Sequence, residues 1–121
     1  MSASWPSVPV DAVRVVEPVT LLSWLRAGRP VRVVHAGSAA SFGGGHVPGA
    51  VRASTPSGFV GGLSADEEVV VYGPHAGDGD AALLAGALAE ALGRPVRWLR
   101  AGLPGWVSAG GTVEAPTAPC P

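Results

Sequence analysis

Apolar residues in this chain gather in short runs divided by turn formers, and the runs alternate between two spacings. Val31-Arg32-Val33-Val34-His35 and Glu68-Val69-Val70-Val71-Tyr72 are apolar almost throughout, as strands buried on both faces of a parallel sheet must be. Val13-Arg14-Val15-Val16, a short stretch around Val51, and Val96-Arg97-Trp98-Leu99 add further strands. Helical spacing lies between them. Leu21, Leu22 and Leu25 form a stripe over 19–27, with Pro18 suited to a first helical position and Gly28 and Pro30 ending the run. Leu84, Leu88 and Leu92 stand four apart in a helix over 80–92, with Asp80 as its N-cap and Gly93 as its stop. A short helical turn precedes the glycines at 43–45, and 103–109 closes the series with Trp106. Alternating strands and helices predict a doubly wound parallel sheet.

Turn chemistry sets the remaining boundaries. Residues 1–12, with Pro6 and Pro9, read as an extended arm, 13–110 as one domain, and 111–121 as a flexible tail of Gly, Thr, Ala and Pro. The segment 54–64 is irregular and turn-rich.

Composition narrows the function classes. Eight arginines stand singly along the chain against nine acids, for a formal net charge of −1, so no basic footprint for nucleic acid or an anionic membrane is present. The absence of Lys, Asn, Gln and Ile matches the codon bias of a GC-rich bacterial genome. Cys120 is the one cysteine; it can form no internal disulfide, and no Cys-His metal framework accompanies it. With no apolar run of 18 residues and no leader-like amino end, a cytoplasmic protein without cofactor is expected.

The stretch with most chemical promise follows the fourth strand: Gly73-Pro74-His75-Ala76-Gly77-Asp78-Gly79-Asp80, leading into a helix. At the carboxyl end of a parallel strand, exposed N–H groups and a helix dipole converge on any ligand. Gly-rich turns of this kind also occur as plain connections.

Three segments together resemble the rhodanese-like domain: 33–51, containing Gly45-His46-Val47-Pro48-Gly49-Ala50; 69–92; and Leu99-Arg100-Ala101-Gly102-Leu103-Pro104-Gly105-Trp106 with Gly110 after it. The resemblance spans 13–114. It implies a five-stranded, mainly parallel sheet with helices on both faces, and sulfurtransferase ancestry. The departures fall at the chemistry. The family's persulfide-forming cysteine is Gly73 here, its aspartate at the end of the second strand is His35, its arginine two residues on is Gly37, and its following glutamate is Ser41. Glycine carries no nucleophile, and loop carboxylates repel thiosulfate or phosphate.

Two readings of function follow. In the first, the fold is repurposed in specialised metabolism: Gly73, Pro74, Ala76, Gly77, Gly79, Asp80 and Ser38 bind a small organic ligand, and His35, His75 and Asp78 carry out acid-base catalysis. His35 is equally readable as a buried histidine bonded to the neighbouring loop, and His46 as part of a structural turn. A zinc site from His35, His75 and Asp78 has no spacing signature, and no metal is expected. In the second reading the chain is a non-catalytic binding or regulatory module with a possible protein partner. A remaining route, sulfur transfer through Cys120, relies on a tail of about ten residues that can extend ~33 Å.

Overall fold

The computed structural model describes residues 12–53 and 66–114. The arm at 1–11, the segment 54–64 and Cys120 lie outside them. Strands β1 (Val13–Val15), β2 (Val31–His35), β3 (Val51–Arg52), β4 (Glu68–Tyr72) and β5 (Val96–Trp98) form one sheet in the order β1-β5-β4-β2-β3. Every pairing is parallel. Helices α1 (Pro18–Arg26), α2 (Ala39–Gly44), α3 (Gly79–Leu92) and α4 (Gly102–Ser108) connect them.

The valine runs explain why β2 and β4 stand at the centre. Along β4, Val69 and Val71 point into one core, with Val34, Leu84, Leu88 and Val96; Val70 and Tyr72 point into the other, with Val33, Leu21, Leu99 and Trp106. Two-residue periodicity therefore feeds both faces of the sheet at once. Helix α3 covers the first face, and α1 with α4 covers the second.

Local signals place the helix ends. Pro18 opens α1 after an extended Glu17, and Leu21 is its fully buried anchor. Helix α3 stops at Gly93, in the left-handed conformation with φ 69°, whose N–H bonds Ala89 O at 2.8 Å. At its start the expected cap is corrected. Asp78, not Asp80, is the N-cap: its carboxylate accepts the Asp80 N–H at 3.0 Å, and the helix begins at Gly79. Two aspartates two positions apart are equal candidates by propensity, and the bend of the preceding loop decides between them.

The domain edges move outward as well. Ala12 is buried, and its carbonyl accepts the Val96 N–H at 2.7 Å. Residues 111–114, assigned above to the tail, are tied to the body: Trp106 Nε1 donates to Thr112 O at 2.6 Å, and Glu114 pairs with His46 through N–H···O bonds of 2.8 and 2.9 Å. The side chain of Glu114 also accepts the Gly49 N–H at 3.1 Å. This short segment thus braces the turn that carries His46.

The order in which strands are laid down reverses between β2 and β4. From β2 the chain proceeds to β3 on one side, and from β4 to β5 on the other. Their carboxyl ends, His35 and Tyr72, are register partners and mark the switch point where open α/β sheets place ligands.

Gly102 secures the loop after β4 against α4. Its φ is +67°, and a Cβ there would collide with the His75 carbonyl, lying 2.7 Å from its carbon. Gly49, at φ +80°, faces open space. Gly49→Ala is expected to cost about 1 kcal/mol from the left-handed backbone alone. Gly102→Ala should cost more than ~2 kcal/mol because backbone must also move. Urea unfolding of the two variants compares them, and equal losses would show that the close approach carries no weight.

Candidate functional site at the carboxyl edge of the sheet

Beyond Tyr72 the chain forms the loop 73–78, held at three points. Gly73 O accepts the Leu103 N–H at 3.1 Å, Gly77 N–H donates to Arg100 O at 2.7 Å, and the His75 carbonyl packs on Gly102. Gly73 is buried; His75, Ala76 and Gly77 are exposed.

The space above Gly73 is not vacant. A Cβ built on that residue would lie 2.7 Å from Asp78 Cβ and 2.5 Å from its Cγ, and closer still to Oδ2. The Asp78 side chain therefore occupies the place of a side chain at 73. One carboxylate oxygen caps α3, and the other lies over the glycine.

His35 is the second surprise of placement. It is fully buried, with Nδ1 2.8 Å from the Tyr72 hydroxyl and Nε2 3.0 Å from Ser41 Oγ. Val47 N–H donates to the same Tyr72 oxygen at 3.0 Å, and Ser41 Oγ donates to Ser38 O at 3.0 Å. One assignment of protons satisfies every group. Tyr72 O–H donates to Nδ1, Nε2–H donates to Ser41, and Ser41 passes its hydrogen to Ser38. The imidazole is then neutral. A second ring proton would point Nδ1–H at the Tyr72 hydroxyl and leave the phenolic hydrogen without an acceptor. Burial, and next the His46 and Arg52 charges, hold the His35 pKa below its ordinary value of 6.5 despite the opposing Asp78. Burial also pushes Tyr72 up to about 12, against the Val47 hydrogen bond. Edge contacts from Tyr72 and Phe42, at ring-centre distances of 4.9 and 5.4 Å, enclose the imidazole.

The residues singled out in the sequence therefore separate. His35 faces the core, not the loop mouth, because a side chain at the end of a central strand is covered by the turn that follows. His75 is exposed and makes no hydrogen bond to Asp78, whose carboxylate is turned toward Asp80 N–H and Gly73. Among the described residues no group of three His, Cys, Asp or Glu side chains is placed to hold a metal. Two hollows lie at this edge of the sheet. One, of about 570 Å³, has Gly37, Ser38, Arg52 and Asp80 as its polar wall and Leu83, Leu84 and Ala87 along α3. The other, of about 400 Å³, lies among Glu17, Ala76, Gly77 and Arg100. Ser38 and Asp80 line the first, Ala76 and Gly77 the second, Gly73 lies beneath Asp78, Pro74 is half-buried, and Gly79 opens α3.

Tyr72, Arg52 and Glu114 were not singled out as site residues, whereas Ser41 was read with Ser38 as a hydroxyl for a ligand and is instead bonded to His35 and Ser38. A signal existed for Tyr72: a polar residue ending each of two central strands invites pairing if the register is flush. Arg52 and Glu114 carry no local signature; only the folded chain brings them to this edge.

The neutral imidazole gives stability a defined pH dependence. Between the lowered folded pKa and 6.5, the unfolded chain binds the extra proton and the folded chain does not, so stability falls as pH drops below about 6.5. Thermal melts from pH 7.5 to 5 should show this decline, and His35→Asn, though less stable throughout, should flatten it. An unchanged slope in that variant would assign the decline to other groups.

No family model matches this sequence, and no curated protein does. Solved structures do match. The BH2092 protein from Bacillus halodurans is 22% identical with a TM-score of 0.74, over 84% of this chain and 77% of that one. The rhodanese-like domain of the Alr3790 protein from Anabaena sp. is 23% identical with a TM-score of 0.71, over 88% and 84%. Thiosulfate sulfurtransferase from Pseudomonas aeruginosa is 27% identical with a TM-score of 0.68, over 95% of this chain but 21% of that longer one. With its parallel five-stranded sheet and helices on both faces, this chain has the rhodanese-like fold.

Proposed function

We propose that this chain is a rhodanese-fold binding module that holds a small organic ligand beside the loop and does not transfer sulfur. The single observation that carries this reading is the Asp78 side chain standing in the space over Gly73. A thiolate at 73 is the group on which persulfide chemistry rests. Here the position has no thiol, and a carboxylate has taken its volume. That fixed negative charge also opposes the anionic donors a sulfurtransferase must admit.

Acid-base catalysis by His35, His75 and Asp78 is less well supported. An imidazole that acts on substrate needs a free ring nitrogen within hydrogen-bond reach of it. Both nitrogens of His35 are already engaged inside the core, and His75 is exposed with no orienting carboxylate among the described residues.

The test is a thiosulfate-to-cyanide assay on four proteins. Wild type and Cys120→Ser are expected to be inactive. Gly73→Cys should also be inactive, and destabilised by about 1–3 kcal/mol because two side chains compete for one volume. Gly73→Cys/Asp78→Ser, which relieves the clash while serine keeps a capping oxygen for α3, should recover most of that stability and should accept a persulfide at 73 detectable by mass spectrometry. Turnover by wild type would overturn the proposal. Its loss in Cys120→Ser would move the chemistry to the tail thiol, and its persistence there would place it elsewhere in the chain.

A further inference from the structure

Asp80, Leu83, Leu84 and Ala87 fall at i, i+3, i+4 and i+7 on α3 and share one wall of the larger hollow. That wall is acidic at its amino end and apolar beyond. Leu83 is 75% exposed, so an apolar side chain of α3 stands uncovered at the rim of the hollow. Arg52 lines the same hollow, and its one side-chain hydrogen bond among the described residues is a long 3.5 Å contact to Gly37 O. No ion pair joins Arg52 to Asp80 among those residues, so each charge remains available to a ligand.

We propose that this hollow is a site for a free zwitterionic amino acid with a branched apolar side chain. Arg52 receives the carboxylate, for which its planar fork of N–H donors is suited. Asp80 receives the ammonium group, with the Ser38 hydroxyl on the same rim. The aliphatic side chain lies along Leu83, Leu84 and Ala87. Charge selects the class. A simple anion meets Asp80, a simple cation meets Arg52, and only a molecule carrying both charges satisfies the two. A volume of about 570 Å³ falls within the range of small-molecule sites and exceeds what a single amino acid fills. Gly37 sets the back of the hollow: a Cβ there would come within 2.6 Å of Ser41 Oγ and 2.7 Å of His35 Nε2, so its backbone is pressed against the buried network. The inference names the ligand of the binding module proposed above and rests on that reading.

Titration of the isotope-labelled full chain with L-leucine, followed by backbone NMR, tests it. Saturable shifts are expected at Gly37, Ser38, Leu84 and Ala87. Isocaproate, which lacks the ammonium, and isopentylamine, which lacks the carboxylate, should each bind about tenfold more weakly or worse, as should L-leucine to Arg52→Met and to Asp80→Asn. Both substituted side chains are exposed, and unchanged melting temperatures confirm that the variants fold. Leu83→Ser should weaken L-leucine while sparing the small zwitterion glycine. Absence of a saturable shift up to about 10 mM, where a site of roughly 1 mM Kd would be mostly filled, overturns the assignment. So do equal affinities for the truncated analogues, or shifts confined to the hollow beside Arg100. None of these results alters the outcome of the sulfur-transfer assay, so the two proposals fail separately.

Discussion

A hydrogen bond between two strand ends governs this molecule. His35 and Tyr72 close adjacent central strands in register, and the 2.8 Å contact between them joins the parts that converge on the sheet's carboxyl edge. Through Tyr72 it reaches Val47 in the turn after α2, and through Ser41 it reaches the start of α2. A buried polar network of this kind stabilises only if every member is satisfied. The neutral imidazole meets that condition, with one acceptor and one donor facing opposite partners. A carboxylate at position 35 has no N–H to give Ser41, so histidine requires its own set of neighbours.

Much of the fold was legible in the chain because it is locally encoded. The unbroken valine runs of β2 and β4, the leucine spacing of α3 and the Pro18 and Gly93 boundaries each depend on residues close in sequence. The site was legible only in part. Gly73 is plain in the sequence, but nothing near it announces that Asp78 folds back over the glycine. Asp78 and Asp80 have equal capping propensity, and His35 reads alike as wall or as core until the covering turn is known. The docking of 111–114 depends on Trp106 and His46, the latter more than sixty positions upstream, and lies beyond any local pattern.

Glycine at 73 and aspartate at 78 are best understood together. A glycine at 73 leaves room above its backbone, and a void in a well-packed edge is costly. Asp78 fills it while also capping α3, so one side chain serves packing and helix termination. Open volume at this edge lies instead in the two hollows to either side. The larger of these borders the His35 network through Gly37, which couples its shape to the same buried bond.

The brace at Glu114 reaches further than its own turn. Its backbone holds His46 and its carboxylate holds the Gly49 N–H, on either side of Val47, whose own N–H bonds the Tyr72 hydroxyl. Slackening that brace would therefore loosen the buried network from outside the sheet.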